Sequence, residues 1–121
     1  MAKSQLSLVP IEALEACADA FADGSRKYGR NSFTTMDIEW SQCIDSLLRH
    51  VHAFASGEDV ASDSGVSHLG HAMARCAMLI YWQKWSVGTD NRRLVDPPAL
   101  IEQSSDVLDQ MMKTVNSSRS N

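Results

Sequence analysis

The chain has 121 residues, 44% hydrophobic and 21% charged, and its 11 Lys and Arg against 15 Asp and Glu give a net charge of −4. That size and balance fit one folded domain and set aside an intrinsically disordered chain. The acidic excess argues against broad, non-specific binding to duplex nucleic acid, while leaving room for a local basic pocket that takes a phosphorylated small molecule.

Pro10 suits the first turn of a helix, where its missing N–H costs nothing. Ile11, Leu14, Ala18, Phe21 and Ala22 then keep three-four spacing, which predicts a first helix over about residues 10–27. The segment GSRKYGRNSF follows, with Arg26 and Lys27 between two glycines and Arg30 just after the second, the densest basic patch in the chain. Its plain reading is a solvated connector whose glycines end a helix. Thr35 is the expected cap of a second helix, with Asp37 and Glu39 near the positive end of its dipole. Trp40, Ile44, Leu47, Leu48, Val51, Phe54 and Ala55 line one face, and Gly57 stops it. Asp63 or Ser64 is the expected cap of a third helix with a core face of Leu69, Ala72, Met73, Cys76, Leu79 and Ile80. Met78 and Trp82 widen that face, so this helix is expected to be the most buried, and Gly88 ends it. Asp96-Pro97-Pro98 is a restart signal, and Leu100, Ile101, Val107, Leu108, Met111, Met112 and Val115 give a fourth helix its stripe.

No run alternates with period two, and no internal repeat is found. The expected fold is all-α: an antiparallel bundle of about four helices in one domain over residues 1–121, with a core at about 9–115 and a polar, frayed tail at 116–121. The stripe of the fourth helix suits packing against a second subunit. Cys17, Cys43 and Cys76 are odd in number and form no CxxC pair, so they read as buried, reduced thiols of a cytoplasmic protein. MAKSQLSLVP has no apolar stretch of the signal-peptide kind. The run AMARCAMLIYW is broken by Arg75 and far short of a membrane span, so no membrane partner is expected.

The densest polar chemistry lies in GEDVASDSGVSHLGH, residues 57–71, with Glu58, Asp59, Asp63, His68 and His71. Three-residue spacing puts His68 and His71 on one helical face. Two neutral imidazoles so placed can share a divalent cation if carboxylates complete the shell. Glu58, Asp59 and Asp63 precede the helix, and His50 on the second helix would lie antiparallel to it. His52 flanks the same apolar face at a similar angle, so helical geometry leaves both open. The plain alternative is one histidine hydrogen-bonded in the core and one exposed, with Asp63 or Ser64 a cap, Glu58 and Asp59 loop charges, and Arg49 a surface ion-pair partner. No GxGxxG, no GxxxxGK[ST] loop and no GxSxG elbow is present.

The ordered set Lys27-Tyr28-Gly29, Asn31, Leu47-Leu48-Arg49-His50, Gly57-Glu58-Asp59, Asp63-Ser64-Gly65 and His68-Leu69-Gly70-His71 resembles the dATP/dGTP diphosphohydrolase family of phages and bacteria, the MazZ-like group. That group is related to the all-α MazG-like nucleotide pyrophosphohydrolases, and the resemblance covers about residues 9–83. It implies a MazG-like domain that cuts a purine deoxynucleoside triphosphate, dGTP or dATP, between the α and β phosphates. The products are the monophosphate and pyrophosphate. In phages that replace adenine with 2-aminoadenine, the dGMP so made is the precursor of the modified nucleotide. It also implies a homodimer or homotetramer, the cytoplasm (the host's, for a phage protein), no stable nucleic-acid partner, and a divalent metal.

MazG-like enzymes hold Mg²⁺ through ExxE on one helix and ExxD on the next. Here His68 and His71 stand where the second pair would be, and His50 stands near the first. The implied metal set is therefore His50, Glu58, Asp63, His68 and His71. Magnesium prefers oxygen ligands, whereas imidazoles favour Mn²⁺ or Co²⁺. Ala61-Ser62 replaces an acidic-Pro pair. The implied roles are Glu58, or else Asp59, as the base that takes the water's proton. Lys27, Arg30 and Arg49 would hold the polyphosphate, Asn31 would contact substrate, and Tyr28 or Trp40 would stack on the base. Two rival readings remain: a catalytically inactive helical nucleotide-binding module and a structural protein with a helix-four dimer seam. An HD-type phosphohydrolase is disfavoured, because no histidine here is followed by aspartate.

Overall fold

Helix α1 runs Ile11–Tyr28, close to its predicted span, and starts directly after Pro10. It ends because Gly29 takes φ 92, and the Gly29 N–H closes onto the Ser25 carbonyl at 2.9 Å. The computed structural model describes residues 2–92 together with 109, 112 and 113. Those residues hold three α-helices and no strand. The predicted fourth helix and the tail lie outside the described residues, except for Asp109, Met112 and Lys113. The chain divides into two units, 1–91 and 92–121, and the account below concerns the first.

Helix α2 is Trp40–Ala55, and its cap is Glu39 rather than the expected Thr35. Residues Ser32–Thr35 close into a 3-10 turn, after which the chain runs extended to Glu39. Glu39 and Gln42 then form a reciprocal capping box. Helix α3 is His68–Trp85, and its cap is Ser67, not Asp63 or Ser64. The reason lies in the loop before it. Ala61 N–H bonds the Val66 carbonyl, Gly65 N–H the Ala61 carbonyl and His68 N–H the Asp59 carbonyl, each at 2.9 Å. Those bonds hold residues 59–67 in a closed loop, so helical geometry begins only at Ser67, whose Oγ accepts from Gly70 N–H at 3.0 Å.

Helix α3 packs against both α1 and α2. It runs antiparallel to α2, pairing Arg75 with Ser46 at one end and His68 with His50 at the other. Against α1 it approaches closely: a Cβ on Gly70 would stand 2.5 Å from the Ala16 carbonyl oxygen. The core gathers Trp40, Cys43 and Trp82, with Phe33, Met36 and Met78 packed beside them. Trp82 is fully buried and satisfied, its indole N–H reaching the Phe33 carbonyl at 2.7 Å. As expected, α3 carries the most buried positions, but the buried stripe differs from the predicted one. Leu69, Cys76 and Ile80 are exposed, while His68, Gly70, His71, Ala72, Ala74 and Trp82 are buried. With a helix on either side, α3 gives most of its inward positions to small residues and histidines, with Trp82 the large exception. Of the thiols, Cys43 is buried and Cys76 exposed, and all are free.

After α3, residues 87–91 return to the start of α2 as a strap. Val87 carbonyl accepts the Trp40 indole N–H at 2.8 Å, and Thr89 carbonyl accepts Trp40 N–H at 2.9 Å. Asn91 bonds both the Glu39 carboxylate, at 2.7 Å, and the Ser41 N–H, at 3.0 Å. Among the described residues no helix is long and apolar enough to cross a membrane.

Candidate functional site: an imidazole cluster beside a basic cavity

The antiparallel pairing of α2 with α3 brings the last turns of one against the first turn of the other. His50 thereby meets His68 and His71. Gly57, at φ 96, turns the chain after α2, so that Glu58 comes back over the same spot. His50 Nδ1 lies 2.8 Å from His68 Nδ1, and His68 Nε2 lies 2.8 Å from Glu58 Oε1. The rings of His50 and His71 stack at 4.5 Å with 12° between their planes. His71 Nε2 meets Ser64 Oγ at 2.8 Å, and its Nδ1 is buried with no hydrogen-bond partner. Since buried polar atoms are nearly always paired, that nitrogen marks a position made for something else.

Burial favours the neutral form of two of these rings, His50 and His71. Burial pushes the His50 pKa down to about 4, with the His71, Arg75 and His68 charges adding and Asp63 opposing. His71 is also lowered, by burial first and then Arg75, against Asp23 and Asp63. Neutral imidazoles keep a lone pair for a cation or a proton.

His71 also lines a cavity of about 640 Å³ between α1, α2, α3 and residues 29–38. One part of its wall carries Lys27, Arg30, Asn31 and Arg75, and another carries Phe33, Met36, Met78 and Trp82. Arg75 is aimed by its Nε–H to Ser46 Oγ at 3.0 Å. Asp23, buried on α1, pairs with Lys27 at 3.1 Å and Arg26 at 3.4 Å. The Lys27 hydrogen bond, with help from Arg26, holds its carboxyl below the usual range.

The candidates read from the sequence therefore divide. Lys27, Tyr28, Arg30 and Asn31 line the cavity together. His50, Glu58, His68 and His71 form the cluster, whereas His52 is exposed. Asp63 reaches His50, His71 and Lys27 through its charge. Asp59 contributes its backbone carbonyl to His68 N–H, with an exposed side chain. Arg49 is exposed and stands outside the cavity wall, and Trp40 is a core residue. Sequence reasoning missed Asp23, Arg75, Ser46 and the hydroxyl role of Ser64. The available signals were Asp23 four residues before Lys27 and Arg75 interrupting an apolar run.

As the side chains stand, no group of three or more His, Cys, Asp or Glu among the described residues is set to hold a metal ion. The donor chemistry nonetheless suits one: neutral imidazoles, a nearby carboxylate and an orphaned buried nitrogen on His71.

These features define a protein, helical over the described residues, whose cluster of histidines and carboxylates opens onto a basic cavity. The chain belongs to the family described as dATP/dGTP diphosphohydrolase, N-terminal, which it matches over residues 1–92. No curated protein and no solved structure matches it.

Proposed function

We propose that the protein is a metal-dependent nucleoside triphosphate pyrophosphohydrolase, converting dGTP or dATP and water to the monophosphate and pyrophosphate. The observation that carries this is His71, which belongs at once to the imidazole cluster and to the wall of the basic cavity. The family name supplies the substrate class.

Lys27, Arg30 and Arg75 supply cationic donors for the polyphosphate, with the arginines suited to bidentate contacts. Phe33, Met36 and Met78 offer an apolar wall for the purine, and exposed Tyr28 at the edge offers a ring to stack on it. His50, His71 and the carboxylates of Glu58 and Asp63 would hold the divalent ion, Mn²⁺, Co²⁺ or Mg²⁺. When bound, such an ion neutralises phosphate oxygens and makes water more acidic. Glu58, with an exposed side chain anchored on His68, is better placed than Asp59 to take the proton of the attacking water.

Exposed Leu48, Val51 and Phe54 on α2 support assembly as a homodimer or homotetramer, testable by light scattering on the purified chain. In a phage that uses 2-aminoadenine, the dGMP would feed synthesis of the modified nucleotide in the host cytoplasm.

The test is incubation of metal-stripped protein with each dNTP and NTP, adding Mg²⁺, Mn²⁺ or Co²⁺ separately and resolving all phosphate products. Monophosphate plus pyrophosphate from dGTP or dATP is the expected result. His71→Ala should abolish pyrophosphate release with helical content retained. Nucleotide binding without product, under every ion, would replace this reading with a silent binding module.

A further inference from the structure

Gln42, in the first turn of α2, brings to the cavity wall an amide whose orientation the backbone dictates. It lines the cavity along with Phe33, Met36, Ile38 and Met78, the apolar side chains offered above to the base. Its Oε1 lies 3.2 Å from the Glu39 backbone N–H. A backbone N–H only donates, so the amide atom facing it must be the oxygen. Turning the amide over would set donor against donor and remove half of the capping box that starts α2. The Nε2 hydrogens therefore face away from the cap, and among the described residues Nε2 has no hydrogen-bond partner. Gln42, Ser46 and His50 recur at four-residue spacing along one side of α2, about 12 Å from first to last. Ser46 aims Arg75, and His50 stacks on His71. A polyphosphate held at that end leaves the sugar and base to extend along α2 towards Gln42.

We infer that Gln42 is a specificity-determining residue that reads the six-position of the purine, its Nε2 donating to a carbonyl there and so favouring guanine over adenine. This deepens the reading proposed above and rests on its substrate class. On that edge guanine presents only acceptors, O6 and N7, whereas adenine sets an amino donor beside N7. A free glutamine turns its amide over to suit either base. Gln42 gives up the bond to Glu39 N–H if it does so. Its exposed position at the cavity rim lets water compete, so the expected discrimination is that of one ordinary hydrogen bond, about fivefold.

The test is calorimetric titration of the full-length protein, with Mn²⁺ present, using the α,β-imido analogues of dGTP, dITP and dATP. These are not cut, so the titration reads binding without turnover. Hypoxanthine keeps the six-carbonyl and lacks the two-amino group, which separates Gln42 from any group that reads the amino position. The dGTP and dITP analogues should bind about equally, and each about fivefold tighter than the dATP analogue. Gln42→Glu keeps an oxygen for Glu39 N–H, and with it the cap, but replaces the donor by an acceptor. Its added charge weakens all three ligands alike, so the ratio is the readout. That ratio should fall to one or invert while circular dichroism stays that of the parent. Gln42→Met, with neither donor nor acceptor, should bring it close to one. Equal binding of the dITP and dATP analogues by the parent, or an unchanged ratio in Gln42→Glu, would overturn the inference. Binding with the expected ratios but no cleavage of dGTP would count against the hydrolase reading alone. Binding of none of the three would overturn both.

Discussion

Among the described residues, Asp23 is the one carboxylate in a cavity wall whose other charged residues are Lys27, Arg30 and Arg75, and that placement gives it a job. It holds Lys27 at 3.1 Å and so limits where that ammonium can point. Asp23→Ala is expected to free Lys27, raise KM for the nucleotide several-fold and leave kcat nearly unchanged. A loss confined to kcat would assign Asp23 to the chemical step instead. The histidines set the acid side of the stability profile. Unfolded His50 takes up its proton near pH 6.5, but in the fold it stays neutral down to about 4. Between those values the unfolded state binds more protons, so stability falls as pH drops from 6.5 towards 4. Urea midpoints at pH 7.5 and 5 should show that loss, and His50→Gln should flatten it. Asp23 works in a lower window, since its depressed pKa costs stability only as pH falls below the ordinary value of 3.8. At this scale the sequence was informative where spacing carried the signal. HxxH on one helix and His50 on an antiparallel neighbour are enough to expect a cluster. Asp23 and Arg75 gave weaker signals, because a single polar residue in an apolar stripe has no period of its own.

The close crossing of α1 and α3 rests on Gly70, where an added Cβ would meet the Ala16 carbonyl oxygen at 2.5 Å. The obstacle is backbone and cannot rotate away. Gly70→Ala should therefore destabilise by about 1–3 kcal/mol in urea denaturation, the usual cost of forcing atoms into a packed contact. An unchanged midpoint would mean that the helices are free to separate there. The three helices themselves were legible, since apolar spacing marks each and Gly29 and Gly57 follow the first two, although α3 stops on left-handed Ser86 at φ 56 rather than at Gly88. The starting points of α2 and α3 were not. Thr35, Asp63 and Ser64 have the right side chains for a cap, but hydrogen bonds to distant residues decide where the helix begins. Glu39 is held by Asn91, and Ser67 follows a loop closed on Asp59 and Ala61. Reading α3 by its large apolar residues found Ala72, Met78, Leu79 and Trp82 but misplaced Leu69, Cys76 and Ile80, because Gly70, Ala74 and the two histidines take up much of the inner face.

Among the described residues, the buried apolar set is small: Ala20, Trp40, Cys43, Ala61, Ala72, Ala74 and Trp82. Three of the bulkiest aliphatic and aromatic positions on α2, Leu48, Val51 and Phe54, face outward. The all-helical class was clear from the sequence, since no segment alternates with period two. The strap of residues 87–91 sets the order in which this fold should come apart. The amides of Trp40 and Ser41 donate to the Thr89 carbonyl and the Asn91 side chain, and Thr89 N–H returns the bond to Ile38. Peeling off those few residues uncovers the head of α2 without disturbing the histidines at its far end. In amide hydrogen exchange, Trp40, Ser41 and Thr89 should consequently open together as one unit with a common protection. Amides around His50 and His71 should persist through that opening, so the protein can loosen at one pole while the other stays assembled.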